Sequence, residues 1–183
     1  MADEYGDVLA LYPEEPLRSE VKELSEQVGI LHKVPTKPGE FMHEQQGGYV
    51  GTIPFITVAS RDVIRHYADG IGDDNPLWLD EDYASKTKWG GIIAPPSFVW
   101  GCNPDGGFLL NSFSGLMVGA WYKFYHPVNL NDDIRVEWKI AELRIQKTRH
   151  AKRALREPHH YFYYNQRNEL VAELYQIKYF ILR

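Results

Sequence analysis

Four strand-like runs follow one another in the second half of the chain, at about residues 117 to 126, 133 to 146, 154 to 164 and 170 to 182. In the second run Ile134, Val136, Trp138 and Ile140 alternate with polar residues, the period of a half-buried strand. The apolar phase then slips to Leu143 and Ile145, which predicts a bulge or strong twist near Ala141. Asn165-Gln166-Arg167-Asn168 reads as a hairpin turn, and the last run is apolar almost throughout, as a central strand would be. A chain so built must place one sheet at the centre of its fold.

The segments before these strands supply helices. Leu17, Val21, Leu24 and Val28 recur on one face, with Pro16 suited to a first turn and Gly29 to a C-terminal stop, so residues 14 to 29 are expected to be helical. Their narrow stripe suits packing onto the domain or onto a second subunit. Residues 32 to 48 read as a connector, and Tyr49 to Val58 returns to strand composition. Ser60 is a plausible N-cap for a helix whose buried face is Val63, Ile64, Tyr67, Ala68 and Ile71, with His66 on its polar side. A further helix is expected from Pro96 to about Asn103, where Asn103-Pro104-Asp105-Gly106-Gly107 must end it.

Between those two helices lies a densely punctuated segment. Its core is Gly72-Asp73-Asp74-Asn75-Pro76-Leu77-Trp78-Leu79-Asp80, with Tyr83-Ala84 and then Gly90-Gly91-Ile92-Ile93-Ala94-Pro95-Pro96 behind it. This ordered pattern resembles the MaoC-like (R)-specific hydratase/dehydratase family, most closely the branch described as FAS1-like or N-terminal MaoC dehydratase domains. The resemblance covers roughly residues 49 to 181. It implies an α+β, single hot-dog fold: a curved antiparallel sheet wrapped around a central helix, here with an extra N-terminal helix. Residues 1 to 48 would form that helix and its connector, and residues 49 to 183 the hot-dog domain.

The resemblance also implies an activity: conversion of a trans-2-enoyl thioester to the (R)-3-hydroxyacyl thioester or the reverse, in fatty acid metabolism. Catalytic members carry an Asp and a His in a Gly-Asp-x-Asn-Pro-Leu-His turn, and a backbone N–H at a His-Gly pair starting the central helix holds the thioester oxygen. A base must reach the reacting water or Cα proton, and the oxyanion donor is typically worth about 10²–10³ in rate. Here Asp73, Asn75 and Pro76 match, but Trp78 stands in the His position. An indole only donates and exchanges no proton near neutral pH. The His-Gly pair is replaced by Ala94-Pro95, followed by Pro96, and proline has no N–H to offer.

The expectation is therefore a lyase subunit of the enoyl-CoA hydratase or 3-hydroxyacyl-thioester dehydratase type, the substrate-binding and catalytically degenerate half of a heteromer. Asp73 would be the remnant of the catalytic pair, and Asn75, Trp78, Pro95, Pro96 and Trp100 would contact substrate. The expected partner is a second MaoC-like hot-dog subunit carrying the Asp-His pair, giving an assembly at least dimeric. The alternatives are a self-sufficient homodimeric hydratase using Asp73 and a non-catalytic module that binds acyl thioesters. Asp73 and Asn75 also have an ordinary structural role open to them, fixing the turn or capping the next helix.

Composition narrows the partners. A formal net charge of -5 argues against nucleic acid. Arg144, Lys147, Arg149, Lys152, Arg153 and Arg156 nevertheless crowd one predicted hairpin tip. A solvated hairpin end is the plain explanation; attraction of coenzyme A phosphates to Arg149, Lys152 and Arg153, or of the acidic face of a carrier protein, is the functional one. No cofactor is expected beyond the coenzyme A or acyl carrier protein thioester of the substrate. The acidic cluster from Asp73 to Asp82 lacks the spacing of a calcium loop, and adjacent His159 and His160 point to opposite faces of a strand, so no metal site is expected. Those histidines read as surface or packing residues. The lone Cys102 suits a buried inert thiol in a reducing cytoplasm, and no signal peptide or apolar run of membrane-spanning length is recognised.

Overall fold

The computed structural model describes residues 6–34, 36, 49–51, 54–104, 106–108, 110, 112–149, 151 and 153–182. Its frame is one six-stranded antiparallel sheet. Strand β1 (His32–Lys33) pairs with β5 (Arg135–Ile140), then come β7 (Ala154–Tyr164), β8 (Leu170–Leu182) and β4 (Phe113–Phe124), while the short β6 (Arg144–Gln146) also pairs with β7. A separate ribbon joins β2 (Tyr49–Gly51) to β3 (Gly106–Phe108). The expected strands 154 to 164 and 170 to 182 form with those bounds, joined through Asn165–Asn168, where Asn168 takes φ 61°. The expected run 133 to 146 is two strands. Its interruption falls at the phase slip: Ala141 leaves the ladder and its N–H donates to the Pro158 carbonyl at 2.8 Å.

Register places Val136, Trp138 and Ile140 of β5 opposite Tyr163, Tyr161 and His159 of β7, and Tyr161 in turn opposite Leu174 of β8. All seven are buried, so they define the inner face of the sheet. Against it lies the central helix Pro96–Cys102, wound as a seven-residue 3₁₀-helix, with Phe98, Val99 and Cys102 buried. Trp100 meets Tyr122 of β4 edge to face, with ring centres 6.4 Å apart, and the Tyr163 hydroxyl donates to the Asn103 side chain just past the helix. Gly101 lies against the 54–57 segment: a Cβ there would sit 2.5 Å from Ile56 Cδ1, which would have to shift. Burial pushes the Cys102 thiol up to about 12 and leaves it an unreactive part of the core.

At about 2 Å per residue a seven-residue 3₁₀-helix spans roughly 14 Å, whereas a strand of β8's length spans roughly 43 Å. It can cover only the end of the sheet near Tyr163 and Tyr122. The other end is closed by the N-terminal segment, α1 (Gly6–Ala10) and α2 (Leu17–Glu26). Val21 and Leu24 of α2 are buried, and Tyr12 packs edge to face on Phe113 with centres 5.6 Å apart. Glu20 accepts from both the N–H and hydroxyl of Ser112, and the Arg153 guanidinium donates to the Leu11 carbonyl at 2.6 Å. The N-terminal helix packs onto the domain and shares its hydrophobic core.

Helix α3 (Arg61–Ile71) begins as expected, with Ser60 Oγ accepting from the Val63 N–H, and ends at Gly72 in the left-handed region. Ile64 and Ala68 are its buried residues, His66 faces solvent, and Ile71 is exposed because the helix rests on the domain through little more than one stripe. Two short helices follow, α4 (Pro76–Leu79) and α5 (Glu81–Ser85).

Candidate functional site

The turn between α3 and α4 is held by its own side chains. Asp73 Oδ1 accepts from the Asn75 N–H at 3.2 Å, and Asn75 Oδ1 accepts from the Leu77 N–H at 3.0 Å, capping α4. Asp80 repeats the device for α5, accepting from the Tyr83 N–H at 3.0 Å. Trp78 enters the core at 8% exposure, and its indole N–H has no partner among the described residues. The carboxylate is thus engaged in shaping a turn, and the neighbouring side chain is packed apolar surface.

A cavity of ≈ 280 Å³ opens beside the start of the central helix. Pro95, Pro96 and Val99 form one wall; Phe124 at the end of β4, with His126 and Val128 from the link between β4 and β5, forms the other. The walls are fastened together, since the Ala94 N–H donates to the Val128 carbonyl at 2.8 Å and Ile93 bridges to Asn129. Of the residues expected to contact substrate, Pro95 and Pro96 line this cavity. Asn75, Trp78 and Trp100 stand outside its wall, as does Asp73. His126 was not legible as a site residue, because only the long-range pairing of residues 93 and 129 brings it to the helix start. The signal available was its place in a Tyr-His-Pro-Val link at the end of a strand, where loops carry function.

The basic hairpin lies elsewhere. Val171 marks the cavity end of β8, whereas Ala154 pairs with Ile181 at the opposite end, nine residue pairs and roughly 30 Å away along the sheet. Arg153 is committed to the Leu11 carbonyl and to the Tyr12 ring, 5.6 Å from its centre; Arg149 is exposed; Lys152 lies outside the described residues.

The sheet also buries a polar chain beneath its inner face. His159, 2% exposed, sits 2.5 Å through Nε2 from Glu157 Oε1 and 3.0 Å through Nδ1 from the Tyr161 hydroxyl. A carboxylate can only accept, so Nε2 carries the proton and Nδ1 accepts from Tyr161. His32 and His159 each stack on the Trp138 indole, with ring centres at 4.5 Å and 4.8 Å. Burial holds the His159 imidazole below its ordinary range against the pull of Glu157, and burial together with the charge of His159 does the same to His32. His159 is therefore a packing residue; His160 is half-buried on the outer face beside Glu173.

Comparison with known proteins places this geometry. The family described as FAS1-like, dehydratase domain region matches residues 48–174. The chain belongs to that family. Among its relatives, a UPF0336 protein of Parafrankia sp. (strain EAN1pec) is 31% identical over 104 residues, covering 52% of this chain and 68% of the relative. A UPF0336 protein of Streptomyces avermitilis is 40% identical over 40 residues, 22% of this chain, so the chain spans 27% of that relative's length. In fold, the chain is similar to the C-terminally truncated HadBC (3R-hydroxyacyl-ACP dehydratase) complex from Mycobacterium tuberculosis. The TM-score is 0.59 at 17% identity, over 85% of this chain and 98% of that one. The MaoC-like dehydratase from Rhodospirillum rubrum matches with a TM-score of 0.53 at 19% identity, over 79% and 98% of the two chains. The α+β hot-dog fold read from the sequence is the fold of the protein. No described helix is long and apolar enough to cross a membrane.

Proposed function

We propose that this FAS1-like dehydratase chain is the substrate-binding half of an enzyme that interconverts trans-2-enoyl and (R)-3-hydroxyacyl thioesters, and that a second hot-dog subunit supplies the Asp-His pair. One observation carries the reading. At the position where the resemblance calls for a histidine, Trp78 is buried in the core with its N–H unpartnered, while Asp73 spends its carboxylate on the turn. Proton transfer to or from carbon needs a titratable group that reaches the reacting atoms; the Trp78 indole is not one, and Asp73 stands outside the cavity wall. Pro95 and Pro96 remove the backbone donor as well. What remains is an apolar cavity suited to an acyl chain.

Two features support a partner. Strand β4 is at the edge of the sheet and, among the described residues, pairs only with β8, yet Leu116, Met117, Val118, Trp121 and Phe124 are all exposed along it. A long apolar edge of this kind needs a cover in solution. The HadBC structure, similar in fold, is itself a complex. The test is to co-express the chain with a MaoC-like subunit whose Gly-Asp-x-Asn-Pro-x-His turn is intact and to measure enoyl-thioester hydration by each alone and by the pair. Rate confined to the pair is expected; a robust rate from the isolated chain would replace this reading with a self-sufficient homodimer.

A further inference from the structure

Several backbone hydrogen-bond donors around the cavity beside Pro95 and Pro96 are missing or already engaged. Pro95, Pro96 and Pro127 have no N–H. The Ala94 N–H is taken by the Val128 carbonyl, and those of Tyr125 and His126 by the Val171 carbonyl. The Trp89 N–H is taken by Thr87 Oγ1 at 3.2 Å. Of the side chains with a donor, Tyr125 carries the Lys123 ammonium 4.7 Å from its ring centre and bonds to it through its hydroxyl. The Trp89 indole, 40% exposed, and the His126 imidazole are side-chain donors at the cavity, and His126 stands on the wall across from Pro95 and Pro96.

An acyl chain in this cavity brings a thioester carbonyl with it, and a carbonyl oxygen taken from water without a donor costs affinity. We propose that His126 holds the carbonyl oxygen of the bound acyl thioester, in place of the backbone donor that Pro95 and Pro96 cannot provide. The assignment rests on the proposed acyl-thioester function and adds to it the residue that orients the reacting end. The Glu169 carboxylate feels His126 and already accepts from Asn165 and Arg167.

The experiment uses the full chain and two probes of equal chain length: trans-2-octenoyl-coenzyme A, and the octyl thioether of coenzyme A, which lacks the carbonyl oxygen. Binding is measured by calorimetry. His126→Phe should weaken the thioester roughly tenfold, as expected for one hydrogen bond, and leave the thioether unchanged. His126→Gln, which keeps an N–H, should recover part of the loss. His126 is exposed, so both variants should fold, and circular dichroism verifies this. Equal losses for both probes, or no loss for either, would overturn the role of His126 while leaving the cavity as an acyl site. If the unaltered protein binds neither probe, alone or with its hot-dog partner, the underlying acyl-thioester reading fails instead.

Discussion

Replacing Trp78 by histidine restores the residue type that the family turn carries, and the structure predicts that it damages the protein instead of awakening it. The indole is 8% exposed and belongs to the main core cluster. Full truncation of a buried Trp costs about 3–5 kcal/mol; an imidazole refills part of the space, which brings the packing loss to about 2–3 kcal/mol. One orphan N–H already exists at Trp78, so the imidazole adds only its second nitrogen to the polar cost, for a total near ~3 kcal/mol. In a domain of this size each kcal/mol moves Tm by about 2–4 °C, so Trp78→His should melt about 6–12 °C lower while remaining folded at room temperature. Trp78→Phe keeps an aromatic ring and deletes the orphan N–H, and should cost no more than about 1 kcal/mol. The assay is thermal unfolding by circular dichroism paired with enoyl-thioester hydration. A Trp78→His protein with unchanged Tm and a new hydration rate would place this side chain on a working site and refute the packing argument.

Two other expectations rest on named bonds. Asn75→Ala removes the cap of α4 and should cost about 1 kcal/mol in urea unfolding, whereas Asp73→Asn keeps the Oδ1 acceptor and should change stability by less than about 0.5 kcal/mol. The buried histidines give a pH dependence. His159 and His32 are held below their ordinary pKa, so as pH falls below about 6.5 the unfolded chain binds protons that the folded one refuses. Stability is complete above that pH and should decline toward pH 5.5 by at most about 1.4 kcal/mol per pH unit for each histidine; His159→Gln should flatten the decline, measured as urea midpoints.

The strands were the most legible part of the chain. β7 and β8 are long, regular and joined by a turn whose Asn168 adopts the left-handed conformation its side chain tolerates, so local signals sufficed for their bounds. α3 was equally plain because Ser60 and Gly72 mark both of its ends. The interruption after Ile140 was readable as a phase slip, though not as a break, since periodicity reports side-chain direction and not ladder bonds. The proline start and the Asn103-Pro104 stop mark the central helix in the sequence, but neither tells that it winds as a 3₁₀-helix.

The site was less legible for a physical reason. Turn statistics leave Asp73 and Asn75 open between catalysis and structure; the hydrogen bonds add that Asp73 fixes the turn and Asn75 caps α4. Trp78 and Trp100 are aromatic residues beside a family motif, which sequence cannot sort into wall or core; one is core and the other packs on Tyr122. His126 and the Glu157–His159–Tyr161 chain depend on pairings far apart in sequence. Alternation along β7 could place His159 and Tyr161 on one face, but not tell that the face is the buried one.

The measurement that bears most directly on divided labour is a rate. Hydration of trans-2-octenoyl-coenzyme A is followed with the purified chain alone, with a hot-dog partner bearing an intact Asp-His turn alone, and with the co-purified pair. The account predicts turnover by the pair that is abolished by altering the partner's Asp-His residues and little changed by Asp73→Asn in this chain. Robust turnover by this chain alone, lost on Asp73→Asn, would contradict it.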